Sequence, residues 1–145
     1  MISDDLRQRR LALIREHMDT EVTQEFDATL ATFNGHPHYE IMATGQTYDG
    51  NDDVIGYYLA TRTAFPDQRH DNARFHVSDD AVIVEFDLLG TNLGEFYDMP
   101  PTGTDDCGVL LRRRSDHQRA YLLRHGQPGA ADRAWRAAHA GRECR

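Results

Sequence analysis

Residues 80–92 constrain the fold more than any other segment. They read Asp80-Ala81-Val82-Ile83-Val84-Glu85-Phe86-Asp87-Leu88-Leu89 and run on to Asn92. A repeat of two puts Val82, Val84, Phe86 and Leu88 on one face of a strand, and Asn92 joins them if the strand extends that far. Ile83, Glu85, Asp87 and Leu89 take the other face. Such a strand needs a cover on its apolar side and tolerates water on the other, which is the habit of antiparallel sheets. Residues 72–78 alternate too, with Phe75 and Val77 on one side, and Asp79-Asp80 forms the hairpin turn between the two strands.

Helical patterns come before the strands. Ser3 is placed to cap a first helix over residues 4–20, with Asp4 and Asp5 in its first turn. Its stripe of Leu6, Leu13, Ile14 and Met18 is imperfect, because Arg10 and His17 fall inside it. Thr23 is expected to cap a second helix carrying Phe26, Leu30 and Phe33, with Gly35 as its stop. Pro37 precedes a short strand, Tyr39-Glu40-Ile41-Met42, and residues 45–50 read as a second strand and turn. Asn51 or Asp52 should cap a third helix with Val54, Ile55, Tyr58 and Leu59 on its apolar face, ended by Pro66. Helices followed by a strand meander predict an α+β domain, its helices packed on one face of a mostly antiparallel sheet.

The chain has 145 residues, the size of one domain, with 39% hydrophobic and 28% charged residues, as in soluble globular proteins. A net charge of −8 argues against a general nucleic-acid binder. The apolar runs are too short for a transmembrane helix, and the first residues carry charge where a signal peptide needs an apolar core. A cytoplasmic location is therefore expected. Two cysteines, Cys107 and Cys144, cannot make a disulfide framework. His36 and His38 flank Pro37 with no third ligand nearby, so a loop is expected there and no metal.

Three segments together carry a family resemblance: Tyr48-Asp49-Gly50, Phe65-Pro66-Asp67, and Gly90-Thr91-Asn92-Leu93-Gly94 running on to Pro100-Pro101-Thr102-Gly103. In order and spacing, residues 4–104 resemble the SnoaL-like and ester-cyclase branch of the nuclear transport factor 2-like superfamily. The resemblance implies a cone-shaped, curved sheet closed by three helices, a pocket for a small hydrophobic molecule, and a homodimer formed through the sheet. It implies polyketide-cyclase or ketosteroid-isomerase-type chemistry without a cofactor, in which a proton is removed beside a carbonyl. Two departures count against turnover. Where the family usually has Gly-Thr-His, this chain has Asn92, which can share hydrogen bonds but cannot move a proton near neutral pH. The family's two closing strands, the last bearing an acid/base aspartate, have no counterpart in residues 107–145. No catalytic residue is therefore assigned.

The composition breaks at the same place. Residues 1–106 hold 21 acidic residues and 7 arginines; residues 107–145 hold 3 acidic residues and 9 arginines, and no lysine occurs anywhere. A basic tail that binds an acidic partner is one reading. A frame-shifted tail is the other. Codons compatible with residues 107–135, shifted by one base, permit a gapless peptide with a strand, an Asp-Gly turn, a second strand ending in Tyr-Phe-Asp, and a short helix. That is how the family ends. The chain thus divides into a domain at 1–106 and an arginine-rich, out-of-frame continuation at 107–145. On this reading the edge of the 80–92 strand is left open, with Val109-Leu110-Leu111 able to pair as one strand and residues 130–140 able to form a helix around Trp135.

The candidate pocket residues are Asn92, Asp67, Tyr39, Tyr58, Phe65 and Phe86. Strand parity turns Asn92 inward, although a turn role is as fitting. Asp67 follows Pro66, where a turn hydrogen bond competes with a pocket role. Tyr39, Tyr48 and Tyr58 either point hydroxyls into a cavity or serve as core rings. Phe65 and Phe86 are walls. Glu85 and Asp87 look like paired carboxylates but fall on the solvated face, and His70 and His76 are expected to be exposed.

Overall fold

The computed structural model describes residues 2–33, 35–41, 45–96 and 100–103, and the backbone of three further strand segments at 105–106, 109–114 and 120–124. Helix α1 spans Asp4–Val22, α2 Phe26–Ala31 and α3 Asn51–Ala64. Strands β1 (His38–Ile41) and β2 (Gln46–Asp49) make an antiparallel hairpin. A second, antiparallel sheet contains β3 (Arg69–Val77), β4 (Ala81–Thr91), β6 (Val109–Arg114) and β7 (Ala120–Arg124) in that order, with β5 (Asp105–Asp106) paired to the far end of β4. This is the expected α+β architecture.

Ser3 caps α1 as the sequence indicates, its hydroxyl accepting the Leu6 N–H at 3.2 Å. The buried stripe of α1 differs from the apolar one, however. Ile14, His17, Met18 and Glu21 are buried, whereas Leu13 is exposed. Thr23 does not start α2. Its N–H and hydroxyl both bond the Asp19 carbonyl, so it closes α1, and Glu25 takes the cap position of α2. Neither Asn51 nor Asp52 caps α3; Gly50 takes the cap position and Asn51 is the first helical residue. Gly50 has φ +89°, a conformation that side-chain-bearing residues rarely adopt, and its N–H bonds the Pro37 carbonyl. On α3 the buried face is Val54, Tyr58, Thr61 and Arg62, and Leu59 is exposed.

Strand β4 follows its parity. Val82, Val84 and Phe86 are buried, as are Gly90 and Asn92 beyond them, while Asp87 faces solvent. An extra residue in β3 between Asp71 and Arg74, with Asn72 at φ +55°, shifts the register against β4 and bends the sheet. Ile14 and Met18 of α1 pack on Val82, Val84 and Phe86 to form one apolar cluster. Phe33, Tyr39, Val54 and Tyr58 form a second, between the hairpin and α3.

The open β4 edge is corrected by the structure. Ala81–Ile83 pair with Arg114–Arg112, and β7 pairs in turn with β6. Ladder hydrogen bonds come from the backbone, so an arginine-rich segment with Val109-Leu110-Leu111 at its head can still supply strands. The helix expected around Trp135 lies outside the described residues, as does Met42 at the end of the expected first strand.

Candidate functional site

Two of the three sequence motifs, Phe65-Pro66-Asp67 and the segment from Gly90 to Gly103, meet in space and form a clasp. Phe65 caps the C-terminus of α3, and the Ala64 carbonyl accepts the N–H groups of Leu93 and Gly94 at 2.8 and 3.2 Å. Asp67 bonds Thr91 twice, accepting its backbone N–H at 2.6 Å and its hydroxyl at 2.7 Å. Those bonds hold the Asp67 carboxyl below its ordinary value of 3.8. Gly94 lies so close to α3 that a Cβ there would sit 2.8 Å from the Thr63 carbonyl oxygen. The Asn92 carbonyl accepts the Gly103 N–H at 2.8 Å, which folds the Pro-Pro-Thr-Gly loop back onto the same point. The clasp leaves Asn92 between its bonds, 2% exposed, with Oδ1 buried and lacking a hydrogen-bond partner.

A polar cluster is buried beneath α1 and α3. The Thr32 hydroxyl donates to the Thr29 carbonyl at 2.6 Å. It therefore receives its bond from His17 Nδ1, also at 2.6 Å, and this assigns a proton to Nδ1. His17 Nε2 faces the Tyr39 hydroxyl at 3.1 Å, which in turn bonds the Tyr58 hydroxyl at 2.8 Å. Glu21 lies one turn further along α1, with Oε2 3.6 Å from His17 Nε2. Arg62 reaches across from α3 and donates through Nη2 to the Glu21 backbone carbonyl at 2.7 Å, with Oε1 at 3.4 Å. Burial pushes the Glu21 carboxyl up, but the His17 hydrogen bond and the positive charges of His70, His17 and Arg62 outweigh it and bring it to about 2. Glu21 is thus ionised, inside the protein, next to a guanidinium.

The candidate residues fall into two groups. Tyr39, Tyr58, Phe86 and Asn92 are buried. Tyr39 and Tyr58 are core rings whose hydroxyls join the His17 network, and Phe86 belongs to the apolar wall. Asp67 is exposed and held by Thr91, away from the interior. Phe65 is half-buried, edge-on to Phe96, with its Cβ against Gly90. His70, expected to be exposed, is a correction. It pairs opposite Leu88 and turns inward with it, standing edge-on to Phe86 at 4.6 Å. His76 is exposed, 3.5 Å from Glu85, and Asp87 accepts from Asn72, so that pair of carboxylates is a surface feature. His36 and His38 both reach Asp49 and tie the β1–β2 hairpin.

His17, Glu21 and Arg62 escaped the sequence reading as site residues. A signal was present: His17 and Glu21 sit three and seven residues after Ile14, and Arg62 four after Tyr58, so all three occupy helix positions that face the core.

Comparison with known proteins places this geometry in a family. Residues 9–105 match the model of the SnoaL-like polyketide cyclase family, and the chain belongs to that family. No curated protein matches it by sequence. A structure from Xanthomonas campestris pv. campestris, designated a polyketide cyclase, superposes with a TM-score of 0.68 at 14% identity, covering 82% of this chain and 92% of the other. A phenazine biosynthesis-related protein from Pseudomonas aeruginosa gives 0.62 at 17% identity, covering 82% of each chain. A protein with a ketosteroid isomerase-like fold from Catenulispora acidiphila gives 0.59 at 16%, covering 77% and 83%. At these identities the likeness is one of fold. Among the described residues no helix is long and apolar enough to cross a membrane.

Proposed function

We propose that this protein binds a small, largely apolar molecule between α1, α3 and the inner face of β4, without a cofactor, and does not turn it over as a cyclase. The observation that carries the reading is the buried polar cluster, in which Arg62 and Asn92 keep unpartnered atoms in an otherwise apolar interior. Native interiors seldom leave such groups unmatched, and sites that take a ligand are where they persist. The reaction type of the family needs a base beside a carbonyl. Asn92 cannot be that base, and the His17 ring is engaged on both nitrogens. The asparagine at position 92, where the family usually has a histidine, supports binding over catalysis.

Two measurements test it together. Chemical shifts followed while an aromatic ketone such as acetonaphthone is added should move at Phe86, His70 and Asn92, not on the outer face at His76 and Glu85. In D2O the same ketone should exchange its methyl protons no faster with protein than in buffer. Shifts confined to the outer face would remove the binding site. Protein-dependent exchange would restore the enzyme reading.

The tail is a second proposal. We infer that residues 107–145 are an out-of-frame continuation whose restored second strand ends in Tyr-Phe-Asp. The family match ends at residue 105, which supports this placement. Coding DNA across codons 100–145 decides it: a shifted frame that stops early refutes it. The restored chain should melt at a higher temperature than the present one. The homodimer implied by the family would pair the outer faces of the sheets. Light scattering after gel filtration should give twice the monomer mass, and a monomer would remove that expectation.

A further inference from the structure

A second cavity lies on the outer side of α3 and shares no lining residue with the interior site. Its volume is about 400 Å³. Tyr48 of β2, Tyr57 of α3 and Phe96 beyond β4 wall it, with Asp52, Asp53 and Glu95 at its rim. The three rings are half-buried and the three acidic residues are exposed. The Tyr48 and Tyr57 rings lie 4.7 Å apart at 38°, and Phe96 stands edge-on to Phe65. The remaining wall is α3 itself, where Asp53, Gly56, Tyr57 and Ala60 follow a helical repeat and share one face. Gly56 sits in the middle of this helix, where glycine is less stable than alanine. A Cβ there would meet nothing within 4 Å, so close packing does not require the glycine. What its missing side chain leaves is room over the helix backbone.

We propose that this cavity binds a small organic cation, an ammonium group carrying methyl or other short alkyl substituents. It is independent of the interior ligand. Aromatic faces attract a cation through the ring quadrupole, and methyl groups on nitrogen give the rings apolar surface to cover. Three rings supply the faces and three carboxylates supply the charge. Among the described residues no arginine or histidine lines the cavity. His36 and His38, on the adjoining hairpin, are engaged with Asp49 and Glu40. The opposing positive field is that of the α3 N-terminus, about half a unit charge. Asp52 and Asp53 stand in that first turn, and Asp53 also accepts the Asp49 N–H at 3.2 Å. Two carboxylates exceed half a charge, and Glu95 adds a third from outside the helix, so the balance at the rim is negative. An anion is therefore repelled. A metal ion needs converging ligands, and no group of His, Cys, Asp or Glu among the described residues could hold one. A neutral apolar molecule leaves the carboxylates unused. The volume is at the small end of ligand sites, which run from about 300 to 1,000 Å³, and this suits a free small molecule.

Choline, its uncharged carbon isostere dimethylbutanol, and ethanolamine separate the contributions. In calorimetric titration of the full chain, choline should bind at least about tenfold more tightly than dimethylbutanol. It should also bind more tightly than ethanolamine, which has the charge without the methyl groups. With choline, the backbone amide signals of Gly56, Tyr57 and Phe96 should move and those of Phe86 and Asn92 should stay in place. Gly56→Leu fills the cavity at an exposed helix position, where leucine is the better helix former. That variant should melt no lower than the wild type and lose choline binding. Asp52→Asn/Glu95→Gln should weaken choline by about threefold or more and leave dimethylbutanol unchanged. Equal binding of choline and dimethylbutanol overturns the role of the charge, and ethanolamine as tight as choline overturns that of the rings. Signals that move at Phe86 in place of Gly56, or a folded Gly56→Leu that still binds choline, overturn the site. A trimethyllysine peptide that binds where choline does not overturns the choice of a free small molecule. Absence of choline binding overturns the proposal and leaves the interior site untouched.

Discussion

Two parts of the interior are built on different principles. One is the wall where Ile14 and Met18 meet Val82, Val84 and Phe86. The other is the seam a helical turn away, where His17, Glu21 and Arg62 meet Tyr39 and Tyr58. Both are buried, and both use the same face of α1. The wall holds by removing apolar area from water, a force without direction that accepts any well-shaped apolar group. The seam holds by pairing, which is directional and fails when one partner is lost. The wall is complete within itself. The seam keeps donors over, and a ligand can use them. The proposed binding function therefore belongs to the seam, with the wall as the apolar surface beside it.

The largest effect should come from breaking the seam's charge pair. Arg62→Met should cost about 3–5 kcal/mol in urea unfolding, because the buried Glu21 loses its guanidinium partner and its backbone carbonyl loses a donor. Glu21→Met/Arg62→Met should cost less than the single change. A loss below about 1 kcal/mol for Arg62→Met would erase the distinction between seam and wall. Glu21, held down chiefly by the His17 hydrogen bond, also sets an acid limit. Glu21 has a folded value of about 2 against 4.5 ordinarily. A lowered value means stability that is full above pH 4.5 and lost as pH falls from there toward 2. That acid arm should flatten in Glu21→Gln/Arg62→Met.

Smaller effects follow. On the wall, Phe86→Leu should cost about 1–2 kcal/mol, since it leaves a small void and removes the ring against His70 but orphans no hydrogen-bonding group. In the seam, Tyr58→Phe removes one hydroxyl facing Tyr39 and should cost about 1 kcal/mol. Equal losses at Arg62 and Phe86 would say that the two regions do not differ in kind. The smallest effect lies outside both. The His38 ring bonds Asp49 and Glu40, and the Asp49 bond does most to raise it above its ordinary value of 6.5. A raised histidine stabilises most below pH 6.5 and loses that contribution as pH climbs through the folded value. His38→Asn should therefore lower the melting temperature at pH 5.5 and change it little at pH 9, while a uniform shift would deny the ion pair.

The clasp explains why some of the site was legible and some was not. Asp67, Thr91 and Gly94 stood out as motif residues, and their roles are local: a carboxylate across two strand ends, and a glycine where helix and loop touch. Asp67 looked like a pocket residue because a motif marks constraint without saying which side of the chain is constrained. Its bonds to Thr91 place it outside, and by holding that segment they keep Asn92 inside. His70 misled for another reason. The bulge between Asp71 and Arg74 separates it from the alternation of residues 74–77, so parity counted from that end gives it the wrong face.

The sequence alone determined the order of elements, the inward face of β4 from Val82 to Asn92, the cap at Ser3 and the family. The first three rest on periodicity or on contacts between residues close in the chain, and the family rests on the resemblance of three motifs. It took the packing of the fold to bring His17, Glu21 and Arg62 into one buried cluster. Arg62 and Glu21 are 41 residues apart in the chain and meet across two helices. A charged residue on a helix reads as solvated until its neighbours are known, because its ionisation and its hydrogen bonds depend on what the fold packs around it.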